Sequence, residues 1–298
     1  MESSFLSAVV LPLALAIIMI GIGLELKISD FTLLFKKPRG VIIGLLGQMV
    51  LLPIIGYMVG FYLFDFSSPL IGVGFVILAL APGGSTSNLM SLLSKGDLAL
   101  SVSLTAFVSV ITPLWMPFAI ALLFSNIPET KGIELSYVKT FTELFVVSFI
   151  PIVIGMLINA KKHEWSLKLR KPVKILSTIF LFLVIIALVI KNKVVITANL
   201  DTVGIASIVM VTLTFLAGFL LARVFSLSGK QIKSITFEVG IQNGTLALLV
   251  TATILGIPEM TLAAIFYSLI MFVYGFAVIG FFNMKKVENG KKVELCCA

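Results

Sequence analysis

Apolar blocks of about twenty residues recur along almost the whole chain. A block of that length is what an α-helix needs to cross the hydrocarbon core of a bilayer. The apolar residues do not alternate with polar ones as they would in half-buried strands. Nine spans follow, at about 4–24, 40–63, 69–94, 97–123, 137–159, 172–190, 203–224, 231–256 and 259–282. The linkers are short, so the expected fold class is an all-α integral membrane protein, one membrane domain over 1–298 with no soluble module. Only 12% of the residues are charged, against about 25% in ordinary soluble domains.

The net charge of +8 would suit a nucleic-acid partner, but its distribution points to the lipid bilayer instead. With the N-terminus outside, the outer segments receive only Lys131, Lys139, Lys191 and Lys193 of the 22 basic residues. The rest collect in the first, third, fifth and seventh linkers and in a cytoplasmic tail at 283–298, as the positive-inside rule requires. The expected topology is therefore N-terminus out and C-terminus in. "MESSFLSAVV" has no basic n-region, so the first span is expected to be retained, and the short loops favour a bacterial inner (plasma) membrane. Segment 26–39 reads as an interfacial helix. Gly56 and Gly60 have the spacing of a helix-packing face. Cys296 and Cys297 are neighbours in the tail and form no disulfide framework.

Two spans are interrupted. Span three carries Pro82-Gly83-Gly84 followed by Ser85-Thr86-Ser87-Asn88. Proline removes a backbone donor and glycine weakens a helix, so the helix should break there, with Ser85 or Thr86 capping its second half. Span eight carries "FEVGIQNGT", with Gly240 and Gly244 around the polar residues. The two units lie five spans apart and so run in opposite directions. Paired interrupted spans point to a transporter built from inverted repeats, at about 4–123 and 137–282. Unwound backbone at membrane depth is tolerated only inside protein or beside a wet cavity.

Glu238 is the acidic residue deepest within a span. A charge at the bilayer centre costs about 2.5–3.5 kcal/mol, and such residues usually line ion or substrate routes. The plainer alternative is a protonated carboxyl that holds helices together. Gln242 and Asn243 follow four and five residues later and can converge on the carboxylate in a broken helix. Several oxygens around one negative charge suit a hard cation such as Na+. Ser87 and Asn88 offer oxygens from the other broken span, and Ser101 and Thr105 share a face of the next. Gln48 is a lone amide in an apolar helix, where an interhelical hydrogen bond would also explain it. Glu143 lies nearer the outer interface, within reach of headgroups. His163 falls in a basic loop and reads as solvated, so soft-metal chemistry has no support. Walker A loop, zinc motif and nucleophile elbow are missing, so the chain is not expected to be an enzyme.

These residues resemble the bile acid:sodium symporter family. "APGGSTSNLMSLLSKGDLALSVSLTAF" is similar to its first broken-helix motif and following helix, and "FEVGIQNGTLA" to its second. The resemblance spans nearly the whole chain. It implies a panel domain and a core domain in which the two broken helices cross. It also implies two Na+ sites: one on Ser87, Asn88, Ser101, Thr105 and Glu238, the other on Gln48, Glu238, Gln242 and the backbone carbonyls of Val239 and Ile241. Many members have ten helices, and this chain starts at what looks like the second. Its last span, "AIFYSLIMFVYGF", departs from some bacterial relatives in lacking a polar His-Asn pair.

The expected function is sodium-coupled import of an organic anion by alternating access, the cargo being bile-acid-like or a smaller carboxylate such as pantoate or a keto acid. Substrate contacts are expected beside the crossing, from Ser85, Thr86, Asn88, Asn243 and Thr245. The rivals are a proton-coupled or uncoupled exporter on the same fold and a non-transporting membrane receptor or scaffold.

Overall fold

The computed structural model describes residues 9, 11–36, 38–127, 130, 136–288 and 291–294. The start of the first span, Lys37, Lys131 and the two cysteines lie outside them. Nine helical passages cross the described chain. The first is α1 (Leu11–Glu25), followed by two short helices, α2 (Ile28–Phe31) and α3 (Leu33–Lys36), in the segment read as interfacial. The second passage, α4 (Pro38–Leu63), contains two π-helical turns, at Gly47–Leu51 and Val59–Leu63. The third is split into α5 (Pro69–Ala79) and α6 (Ser85–Leu93). Then come α7 (Leu98–Asn126), α8 (Tyr137–Lys161), α9 (His163–Lys191) and α10 (Lys193–Val224). The eighth passage is split into α11 (Gly229–Gly240) and α12 (Gly244–Ile254), and α13 (Pro258–Asn283) is the ninth.

Two boundaries differ from the sequence reading. The sixth passage starts at His163 rather than near 172, and the seventh at Lys193 rather than near 203. Most of the basic stretch before span six is thus helical and continues through Pro172. The reason is tertiary: Ser166 Oγ and Arg170 Nε donate to the Leu24 carbonyl at 2.8 and 3.0 Å, tying this polar turn to the end of α1. The tail also differs, pairing Lys285–Glu288 (β1) with Lys291–Glu294 (β2) in antiparallel register. The repeated Lys-Lys-Val-Glu sets Lys285 opposite Glu294 and Glu288 opposite Lys291 in the register.

The passages sort into two groups. α1 packs chiefly on α8 and α9, forming a panel. The other six passages form a core, in which α5 packs on α13 and α4, and α11 on α10, α6 and α7. Close backbone approach makes this possible. A Cβ on Gly60 would lie 2.5 Å from the Gly72 carbonyl oxygen, and one on Gly56 would lie 2.5 Å from Ala79 Cβ. The Gly56/Gly60 pair is therefore the face on which α4 meets α5. Gly60→Val should destabilise the protein by about 1–3 kcal/mol, the usual cost of overpacking, seen as a lower melting temperature in detergent. Gly204→Ala is the control: a Cβ there meets nothing within 4 Å, so its melting temperature should hold or rise.

Candidate functional site

The two interruptions meet. Pro82 and Gln242 form an isolated antiparallel bridge, and Asn243 N–H donates to the Ala81 carbonyl at 2.9 Å. Proline has no N–H to give and Gly83-Gly84 cannot hold the helix, so α5 ends and the freed backbone of one break is satisfied by the other. Gly84 is the N-cap of α6, without a side-chain cap. Ser85 and Thr86 therefore fall inside the first turn instead of capping it. Asn243 caps α12, its Oδ1 accepting from Leu246 N–H at 3.1 Å.

The last carbonyls of α11 are orphaned by the break, and their partners show what the surrounding residues do. The Phe237 carbonyl accepts from Ile241 N–H at 2.9 Å, and that of Glu238 from Gln48 Nε2 at 2.9 Å. Val239 accepts from Gln242 Nε2 at 2.7 Å, and Gly240 from Tyr267 O–H at 2.9 Å. Tyr267 is fully buried and also pairs with Thr214 at 2.9 Å. Its role was not readable, because a lone tyrosine in an apolar span carries no pattern. Gly240 is required by contact: a Cβ there would lie 2.6 Å from the Phe215 ring.

Glu238 is fully buried, and the partners described for its carboxylate are all neutral. Oε1 accepts from Ser101 Oγ at 2.5 Å, and Oε2 from Gln48 Nε2 at 3.1 Å and Thr105 Oγ1 at 3.4 Å. Asn88 Oδ1 stands opposite, 2.8 Å from the Ser101 hydroxyl and 3.2 Å from that of Thr105. Each hydroxyl has one proton, so two protons are shared between the Asn88 oxygen and the carboxylate. The centre is rich in oxygen and poor in hydrogen. Ser87, also buried, turns its hydroxyl to the Gly84 carbonyl at 2.7 Å and leaves its lone pairs. Among the described residues the buried Oε1 atoms of Gln48 and Gln242 have no hydrogen-bond partner, while both amide nitrogens sit on backbone carbonyls. Unpaired buried acceptors are costly, and this donor set fits a hard cation. Glu143 lies outside the cluster. It is half-buried in α8, its buried Oε2 without a hydrogen-bond partner among the described residues, rather than reaching outward.

Beside the crossing is a cavity of about 200 Å³. Ser85, Thr86, Asn243 and Thr245 line it, together with Gln242. Asn88 does not: it faces Ser101 and Thr105, so of its two expected roles the geometry leaves the one beside Glu238. The last passage contributes Met271, Phe272 and Phe276, an apolar wall. Two charged residues of the lining, Glu25 and Arg170, were missed from sequence, where Glu25 only follows the first apolar block and Arg170 is one of several cations in a basic linker. A second space, toward α7 and α8, is only about 10 Å³ and includes Ser109, Thr112, Ser148 and again Asn243.

The sequence profile of the Sodium Bile acid symporter family matches residues 12–199. The chain belongs to this family. The symporter family consists of transporters, so the protein is a multi-pass membrane transporter and not an enzyme. An uncharacterized sodium-dependent transporter, YocS of Bacillus subtilis (strain 168), is 31% identical over 244 residues, covering 80% of this chain and 72% of its own. The human ileal sodium/bile acid cotransporter is 27% identical over 296 residues, covering 97% and 82%. A probable sodium/metabolite cotransporter, chloroplastic BASS3 of rice (Oryza sativa subsp. japonica), is 32% identical over 146 residues, 49% of this chain and 33% of its own. The match to the human symporter extends over the second broken passage, which the family profile does not reach.

Proposed function

We propose that this transporter imports a small organic anion together with Na+, by alternating access around the crossing. The observation that carries the reading is the buried Glu238 carboxylate with neutral partners only, in a cluster with more oxygen acceptors than protons. One Na+ would take Ser87, Asn88, Ser101, Thr105 and Glu238. The second would take Glu238, the two unpaired oxygens of Gln48 and Gln242, and the carbonyls of Val239 and Ile241, with the Gln242 amide releasing Val239. Two bound Na+ against one carboxylate leave a local excess of positive charge beside the cavity. The first turns of α6 and α12 line that cavity, and each helix N-terminus adds about half a positive charge. An anion is the matching cargo, held by Ser85, Thr86, Asn243 and Thr245.

The cargo is a bile-acid-like anion or a smaller carboxylate such as pantoate or a keto acid, with Met271, Phe272 and Phe276 to receive its apolar part. The halves 4–123 and 137–282 act as inverted repeats, the panel and core moving against each other. In the orientation with the N-terminus out, in the plasma membrane, Glu25 and Arg170 face the cytoplasm. The cavity beside the crossing is then the inward-facing one, and the small space at Ser109, Thr112 and Ser148 is the closed outward route. The test is uptake of labelled pantoate and 2-oxoisovalerate into proteoliposomes. An inward Na+ gradient should drive accumulation. Accumulation driven by a pH gradient in Na+-free buffer, with no response to Na+, would overturn the reading.

A further inference from the structure

We infer that Arg170 is the carboxylate-recognition residue of the cavity, reading the anion from the panel wall opposite the crossing; this rests on the sodium-coupled anion reading above. Apart from His163, every other basic residue between 161 and 174 is lysine, and the arginine is the one lining the cavity. The difference matters because a guanidinium presents a planar fork that matches a carboxylate in two parallel hydrogen bonds, which an ammonium cannot.

The guanidinium is held from behind. Nε donates to the Leu24 carbonyl at 3.0 Å and Nη2 to Asn159 Oδ1 at 3.2 Å. Asn159 is buried and fixed in turn, its Nδ2 donating to the Leu26 carbonyl at 2.7 Å, with His163 Nδ1 2.9 Å from Oδ1. These bonds engage Nε and Nη2, and the described bonds give Nη1 no partner. The long side chain is thus ordered before any ligand arrives, which removes an entropy cost from binding. The first turns of α6 and α12 line the core side of the cavity, and Ile18 and Ile22 on the panel side with Phe272 and Phe276 on the core side supply apolar surface. Glu25 lines the same space with the opposite sign. A ligand spanning both walls would also join panel to core, the two bodies that alternating access must move.

The experiment uses the purified full chain in detergent, with thermal stabilisation as the readout. Pantoate and 2-oxoisovalerate are the carboxylates and pantolactone the neutral comparison. In the wild type, Na+ should stabilise, and a carboxylate should add a further increment that pantolactone does not. Arg170→Gln should raise the carboxylate concentration for half-effect about tenfold or more, leaving the Na+ increment unchanged. Arg170→Lys, which keeps the charge and loses the fork, should be weaker by at least about threefold. Ser166→Ala removes the other donor to the Leu24 carbonyl. It should lower the melting temperature without altering the carboxylate increment, which separates recognition from support of the α1 end. Carboxylate binding at wild-type concentrations in Arg170→Gln would overturn the inference; so would it in Arg170→Lys if the glutamine variant does not fold, or an equal loss in Ser166→Ala. A wild type stabilised by Na+ but by no carboxylate overturns it and leaves the sodium reading standing. A wild type indifferent to Na+ whose carboxylate binding still needs Arg170 overturns the sodium reading alone.

Discussion

Replacing Glu238 with glutamine should abolish sodium-driven uptake while leaving the protein folded. Glutamine keeps the shape, and its oxygen can still accept from Ser101, now 2.5 Å from Oε1. Burying an amide is also cheaper than burying a carboxylate, so the melting temperature in Na+-free buffer should hold or rise. What disappears is the formal charge shared by both proposed ion sites. A pair of unit charges near 4 Å is worth about 4 kcal/mol at an effective dielectric of 20. Desolvation offsets part of this, and each 1.4 kcal/mol is tenfold, so Na+ affinity should fall by about two orders of magnitude. Accumulation in proteoliposomes and the Na+-induced rise in melting temperature should vanish together. A Glu238→Gln protein that still accumulates anion on a Na+ gradient would end the case for this residue as the coupling group.

Removing Na+ from the wild-type protein should weaken anion binding by about tenfold or more. Without the cation the Glu238 charge stands uncompensated beside the cavity and repels the cargo. The oxygens of Gln48 and Gln242 also lose the ligand that would hold the two breaks in one arrangement. Coupling between sites is typically 1–3 kcal/mol, or about 5–150-fold, and it is reciprocal. Saturating anion should therefore tighten Na+ binding by the same factor that Na+ tightens anion binding. A matrix of melting temperatures over both concentrations, with choline replacing Na+, measures both factors. Anion affinity that is flat across the Na+ series would exclude a sodium-coupled mechanism.

Much of the fold was legible because a bilayer penalises each polar group where it stands. The nine passages, the Pro82-Gly83-Gly84 break and the second break at Gly240–Gly244 all show as local violations of an apolar pattern. Glu238, Gln48, Ser101 and Thr105 were legible for the same reason. Helix ends were not. His163 to Lys171 is polar enough to read as a loop, and it is helical because Ser166 and Arg170 bond to the end of α1. The Gly56/Gly60 spacing was visible too, but that it meets Gly72 required the packed structure.

The site divides along the same line. Which residues would be expensive to bury, and so would need a reason, was determined by the sequence alone, since that cost depends on side-chain chemistry and depth. Which of them face one another was decided by helix rotation, where one residue more or less turns a side chain by about 100°. Tertiary structure therefore chose the Pro82–Gln242 bridge, the Tyr267 bond to Gly240, and the place of Asn88 beside Ser101 and Thr105. It also turned Arg170, one cation among several in a basic stretch, toward the cavity. Charge and hydropathy are properties of a position, and convergence is a property of the packing of many positions at once.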